Sequence, residues 1–503
     1  MSGPTTAPSP VVSSATGLTG EQTRIVWLLL AAAFVAILNE TTMGIAIAHL
    51  VDDLGITEVQ AQWLTTAFML TMAVVIPVTG FLLRRFTTRQ VFITAMTLFT
   101  VGTALAMLAP GFVVLVVARV VQAMGTAMMM PLLMTTLMTI VPPASRGRMM
   151  GRVSIVMSLA PAIGPAMSGF VLENLGWRWN FGIVLPIAIA SLVAGTVWVR
   201  NLGETTHAPV DVLSVVLSAL GFGGIVYGLS QIGGAAGHGG GAAAEAAQTA
   251  QTTSLTVSLV VGVVTLALFF WRQVRLQRID DALLDLRVFR SVNFSLAVAQ
   301  LGVLSLAFFG TITVLPLYMQ RVLEISASDT GLAVLPGALL MGFAGPFIGR
   351  VYDARGTQVL LVPGAIIAVA MLWVFALTFT ATTPLWLIVV CQTLLSLGLA
   401  LSFTPLFTAS LGSLERRFYS YGSAVVGTVQ QVGGAAGVAV MIAVMSGVTV
   451  SGTDAGMDAA SAGAAGAHAA FLLAAIVSLP IIVGAFLIRK PADDAGESAP
   501  PVH

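Results

Sequence analysis

Apolar runs of about 20 residues follow one another along nearly the whole chain, broken by short stretches that hold most of the charge. Such a run crosses a bilayer core of about 30 Å only as a helix, because hydrocarbon offers no partner to an unpaired backbone N–H. The pattern predicts an all-α polytopic membrane protein with fourteen transmembrane helices. The spans fall at approximately 25–48, 61–83, 91–109, 111–140, 149–172, 179–199, 211–231, 255–271, 293–319, 330–349, 358–379, 384–411, 422–447 and 468–488. Residues 1–23, rich in Ser, Thr, Pro and Gly, read as a disordered tail. GGAAGHGGGAAAEAAQTAQTTS, residues 233–254, reads as a flexible linker between the seventh and eighth spans. The first apolar run is too long for a signal-peptide core and is read as an uncleaved span.

Charge tests this count. When the spans alternate from an N-terminus inside, nineteen of the 22 Lys and Arg residues fall on the inner side. Arg178 and Arg321 fall outside, and Arg119 stays within a span. Basic residues collect on the cytoplasmic side of membranes, so both termini are expected there. Only Lys490 is a lysine, and Ala and Gly abound, which points to a GC-rich bacterial genome and a bacterial plasma membrane. The composition agrees: 57% of residues are hydrophobic and 9% charged, against about 25% charged in soluble proteins. A net charge of +1 with no basic stripe among aromatics argues against a nucleic-acid partner. No G-x-x-x-x-G-K-[ST] sequence occurs, so neither ATP hydrolysis nor another enzyme activity is expected. Cys391 reads as a small buried hydrophobe. His49, Asp52 and Asp53 match no common metal-site spacing and read as solvated or capping groups.

Two charges remain inside the membrane. Glu40, in ILNETTMGIAIAHL, is the only acid in the interior of a predicted span, and Arg119 the only base. A charge at the centre of a membrane helix costs roughly 3 kcal/mol or more, so such residues pair or face a cavity. Counted along their helices at about 1.5 Å per residue, both lie roughly 12–14 Å below the outer surface. One reading is a static ion pair that fixes helix packing. The other is a carboxylate that loads and releases a proton, since burial and a nearby arginine act on its charge in opposite senses.

These residues sit in motifs that resemble the major facilitator superfamily, specifically its fourteen-span drug:proton antiporters, from about residue 25 to 488. Leu38-Asn39-Glu40-Thr41-Thr42 resembles the start of that family's L-D-x-T pattern, with Asn39 where the acid most often stands. Glu40 is expected to take over the acid's role. ARVVQAMGTA matches R-x-x-Q-G-x-G through Arg119, Gln122 and Gly125, with Ala123 replacing a glycine. SLAPAIGPAMSG carries the antiporter pattern as Gly164, Pro165, Ser168 and Gly169, followed by GWRWNFGIVLPI. DALLDLRVFR, LPLYMQ, LAVLPGALLMG and GTVQQVGGAAGVAV extend the resemblance.

A superfamily loop of the form G-x-L-x-D-R-x-G-R-K occurs twice. GRVYDARGTQ keeps Arg350, Asp353 and Arg355, whereas GFLLRRFTTRQ has Arg84 where the acid belongs. Arg84, Arg85 and Arg89 would then face the basic RGRMMGR loop, and Glu204, Asp211 or Asp280 is expected to supply the counter-charge. The alternative is that these arginines only set topology and touch headgroups.

The resemblance implies two six-helix bundles, 25–199 and 293–488, with two inserted helices at 200–271. A cytoplasmic amphipathic segment at 272–292 and tails at 1–24 and 489–503 complete the chain. It implies a monomer that exports amphipathic small molecules against protons, among membrane lipids and with no cofactor besides the proton gradient. Glu40 and Arg119 would couple the proton. Asn39, Thr41, Gln122, Asn293, Gln300, Phe308, Gln392 and Phe403 would line the cavity, with Phe309 and Phe407 nearby. Rival readings are export of one endogenous metabolite or lipid, and a non-transporting sensor or scaffold, which would not need an acid and an arginine at matched depth.

Overall fold

The protein is represented by a computed structural model that describes residues 19–56, 58–201, 211–232 and 242–490. The N-terminal tail to residue 18, Glu204, the linker at 233–241 and the C-terminal tail from 491 lie outside the described residues. The described residues form fourteen α-helices and no strand. Helices α1 (Gly20–Leu54), α2 (Glu58–Arg85), α3 (Thr88–Met107), α4 (Phe112–Ile140), α5 (Arg146–Leu175) and α6 (Arg178–Trp198) pack as a first bundle. A second comprises α9 (Val292–Arg321), α10 (Ala327–Arg355), α11 (Gln358–Thr378), α12 (Leu385–Gly412), α13 (Tyr419–Asp454) and α14 (Ala459–Leu487). Between them in sequence come α7 (Val212–Ile232) and α8 (Ala242–Leu276). α7 rests on α2 and α13, and α8 packs chiefly on α7.

Among the described residues, thirteen of these helices keep an unbroken stretch long and apolar enough to cross a membrane. α5 carries the uncharged, largely apolar run 153–170, part of whose side chains lies outside the described residues. It packs on α1 of its own bundle and α10 of the other. Helix ends follow local chemistry. Thr19 with Gln22 and Thr87 with Gln90 form capping boxes at the starts of α1 and α3. Gly55, at φ 60°, closes α1 in the left-handed conformation that glycine adopts without a Cβ penalty.

The bundles meet at one end, where the last turns of α2 and α10 approach the first turns of α13 and α5. This is the arginine-rich end. Hydrogen bonds between the bundles gather in the half of the molecule nearer to it. Asp353 accepts from the backbone amides of Gly147 (2.7 Å) and Arg148 (2.8 Å), so a carboxylate of α10 caps the N-terminus of α5. Arg146 donates to the Tyr419 hydroxyl (3.0 Å), Arg84 to that of Tyr421 (2.9 Å). Farther in, Thr135 bonds Ser423 and Ser154 bonds Thr404. Glycines make this closure possible: a Cβ on Gly151 would strike the Gly345 carbonyl, and one on Gly349 that of Gly147. In lipid, where apolar burial gives helices no reason to associate, such close backbone approach is a main source of packing energy.

The basic loops do not confront one another as expected. Arg84 turns to α13, and Arg89 donates to the Thr196 carbonyl of α6 (2.7 Å). Arg350 and Arg355 are exposed at the same end. Asp211 is bound by Arg272, while Asp280 pairs with Arg287 and lies within electrostatic reach of Arg84. Gly349→Ala should overpack the α5–α10 seam at a cost of about 1–3 kcal/mol, read as a lower thermal midpoint. Gly447→Ala, where a Cβ meets nothing within 4 Å, should be neutral or stabilising in the same assay.

Candidate functional site

Arg119 lies in the first half of α4 with 1% of its surface exposed. Its Nη1 donates to Gln122 Oε1 at 2.7 Å and to Asn39 Oδ1 at 3.2 Å. The Arg119 and Gln122 positions are about 60° apart around a helix of 3.6 residues per turn, so one face carries both. Gln122 in turn donates to Thr103 Oγ1 of α3 (2.8 Å). Gly102 and Gly125 let α3 and α4 approach closely enough for this, since a Cβ on either would strike the other helix. The guanidinium carbon sits 4.1 Å from the ring centroid of Phe68 on α2, a cation–π contact away from water. Arg119 Nε and Asn39 Nδ2 are buried donors with no partner.

No ion pair joins Glu40 to this arginine, although the two charges act on each other through space. The residue that touches Arg119 is Asn39, fully buried against α4. Glu40, about 100° farther round α1, is half-buried. The static ion pair is therefore not what is built here. Thr41 points the other way, to α5, where its hydroxyl occupies the space a Cβ on Gly164 would need. Ser168 donates to the Thr42 carbonyl (2.9 Å) and receives a bond from Asn180 of α6 (3.0 Å). The Gly164 and Ser168 motif thus seats α5 on α1 directly behind Asn39 and Glu40. Gly169 faces open space, and the side chain of Pro165 lies outside the described residues.

The second bundle departs from expectation. Asn293 is the second residue of α9, and its amide holds the Arg489 and Ala409 carbonyls at the arginine-rich end. It ties helix ends together and lines no central cavity. Gln300 donates to the Ile481 carbonyl of α14 (3.1 Å) inside the bundle. Lipid-immersed helices use such amides to bond one another, which is why a polar residue in a span need not face a cavity. Gln392 is buried on α12 with Oε1 unpartnered. Phe308 and Phe403 do meet, edge to face at 5.9 Å, and Phe403 stacks with Phe407 at 6.4 Å. Phe308 also borders a small apolar cavity with Leu304, Leu372, Leu399 and Ile481, with room for about one water molecule.

Comparison with known proteins places this geometry in a family. The model of the Major Facilitator Superfamily matches residues 29–438. The chain is 41% identical over 468 residues to an uncharacterized MFS-type transporter, YcnB, of Bacillus subtilis (strain 168), covering 93% of this chain and 95% of that one. It is 38% identical over 468 residues to the lincomycin resistance protein LmrB of the same organism, covering 92% and 95%. Among solved structures, the human organic anion transporter MFSD10 aligns with a TM-score of 0.62 at 12% identity, over 93% of this chain and 100% of that one. FucP in its outward conformation aligns at 0.60 and 13%, over 93% and 99%. At those identities the likeness is one of fold.

Gln122→Leu should leave Arg119 and Thr103 without their shared partner at a cost of about 1–3 kcal/mol. Thr103→Val, which removes one neutral bond, should cost less in the same thermal unfolding series.

Proposed function

The chain belongs to the Major Facilitator Superfamily and is a multi-pass membrane protein, and from that premise we propose that it is a proton-coupled exporter of amphipathic small molecules. One observation carries this reading. Glu40, a half-buried carboxylate in mid-helix, stands next to a buried arginine that neutral partners hold away from any ion pair. Intramembrane acids are costly and are kept for function, and this one is free to exchange its proton. The resistance named for LmrB and the amphipathic character expected of the substrates point to drugs.

The arginine-rich end is proposed to face the cytoplasm, as the distribution of basic residues favours, with both termini on that side and a single chain as the working unit. With that end closed, the cavity between the bundles opens outward. An external proton neutralises Glu40 and displaces the substrate held there. The bundles then rock so that the outer side closes and the Asp353 cap and glycine seam part. On the inside Glu40 gives up the proton and the next substrate enters. Proton and substrate need only compete for one state of Glu40, because a ligand shifts a conformational equilibrium by its differential affinity alone. Arg119 stays charged throughout on Asn39, Gln122 and Phe68, and favours the deprotonated state after release. The absence of an acid within α9, α11, α12 and the interior of α13 and α14 argues for neutral or monocationic lipophiles.

The test is purified protein in liposomes under an imposed pH gradient, with efflux of a lipophilic dye and proton flux read together. Glu40→Gln should abolish gradient-driven transport and coupled proton flux while dye binding persists. Gradient-driven transport unchanged in Glu40→Gln would remove Glu40 from the mechanism.

A further inference from the structure

The DALLDLRVFR motif has no part in the cycle above, yet it is built into the moving seam. After α8 the chain reverses at Asp280, whose φ of 58° is a left-handed conformation that aspartate tolerates better than most residues. A short 3-10 turn, Gln277–Ile279, leads into this reversal, and a second, Leu286–Arg290, leads from it to α9. This stretch is not draped over a surface. Ala282, Leu283, Leu284 and Val288 are at most 4% exposed. Gln273 of α8, fully buried, accepts from the Leu284 amide and donates to Ser214 of α7. Asp285, 1% exposed, grips Arg287 through its guanidinium and backbone amide, and Arg287 also pairs with Asp280. The Arg287 charge holds the Asp280 carboxyl below the usual carboxylate range.

One hydroxyl joins this stretch to both bundles. Tyr421 of α13 donates to the Ala282 carbonyl at 2.9 Å and accepts from Arg84 of α2 at 2.9 Å. The matching position on the other half of the seam is Asp353, a carboxylate seated on a helix N-terminus, where its charge is favoured. Arg84 brings the opposite sign to the start of α13, where the helix dipole disfavours it. Asp280 lies within electrostatic reach of Arg84, and Asp285 of Tyr421.

We infer that residues 277–290 are a strap that holds α2 against α13 through Tyr421, and that this strap does for one half of the arginine-rich gate what Asp353 does for the other. The inserted helices α7 and α8 then have a mechanical role, because Asp211–Arg272 and Ser214–Gln273 anchor the strap's root. When the gate opens, Arg84 leaves the Tyr421 hydroxyl while the strap stays with α13. Tyr421, Asp285 and Arg287 are positioning residues, and none of them touches substrate. The inference rests on the reading of a gate between rocking bundles.

The experiment measures spin-label distances in the full chain in nanodiscs, on a Cys391→Ser background. One pair sits at exposed Phe86 and Glu415, across the α2–α13 side, and a second at exposed Ala144 and Ala354, across the α5–α10 side. Tyr421→Phe and Asp285→Asn should each raise the open-to-closed ratio at the first pair by about fivefold, the effect of one buried hydrogen bond. Asp353→Asn should raise it at the second pair. If Asp353→Asn opens the gate while both strap variants match the wild type, the strap is refuted and the rocking gate stands. If none of the three changes either distribution, strap and gate are both refuted.

Discussion

A guanidinium that no acid touches, buried between helices, is the constraint around which the first bundle is organised. Removing such a charge from water is expensive, and lipid has nothing to offer in return. Three helices answer together: Asn39 from α1, Gln122 from α4 itself and the ring of Phe68 from α2. α3 adds Thr103 behind Gln122. These contacts need backbones closer than ordinary side chains permit, which is the work of Gly102 and Gly125. On the far side of α1, Gly164 and Ser168 do the same for α5. Two stretches of small and polar residues, far apart in sequence, thus serve one buried charge.

The two halves of the molecule share a fold and divide the labour. The Glu40 carboxylate and the buried Arg119 guanidinium both belong to the first bundle, whereas the second holds aromatic rings and amides that bond helix to helix. The gate is divided too. On one side an acid caps a helix of the opposite bundle, the strongest use of a carboxylate at that place. On the other side an arginine meets a tyrosine, and acids arrive from the segment between α8 and α9. A loop copy that has lost its acid is therefore not simply a damaged latch.

What could be read in advance follows from the range of each interaction. The succession of apolar helices and the Arg119–Gln122 face depend on hydropathy and helical period, which are local. Arg119 and Glu40 stood out because charge in lipid is rare. Their contact did not, since one residue of shift is about 100° and decides whether Asn39 or Glu40 meets α4. Phe68 and Thr103 are ordinary residues in apolar runs, and only the packed bundle shows that they flank a charge. Asn293 and Gln300 misled for the converse reason: an amide in a span signals an unmet hydrogen bond but does not name its partner.

The offset between Asn39 and Glu40 bears on the proposed cycle. An acid at position 39 would lie where Asn39 now meets Arg119, and the pair would form a direct ion pair. Breaking a buried pair by neutralising one member costs about 3–5 kcal/mol, because the other charge is stranded. A proton would then have to work against that cost in every turnover. With Asn39 in the contact, Arg119 keeps its partners whether Glu40 is charged or neutral, and protonation changes only a longer-range attraction. The neighbouring carboxylate is left to respond to water, proton and substrate in the cleft, while the arginine biases it without seizing it. A carboxylate placed one residue away from its arginine's grip is the arrangement expected of a group that must change charge repeatedly.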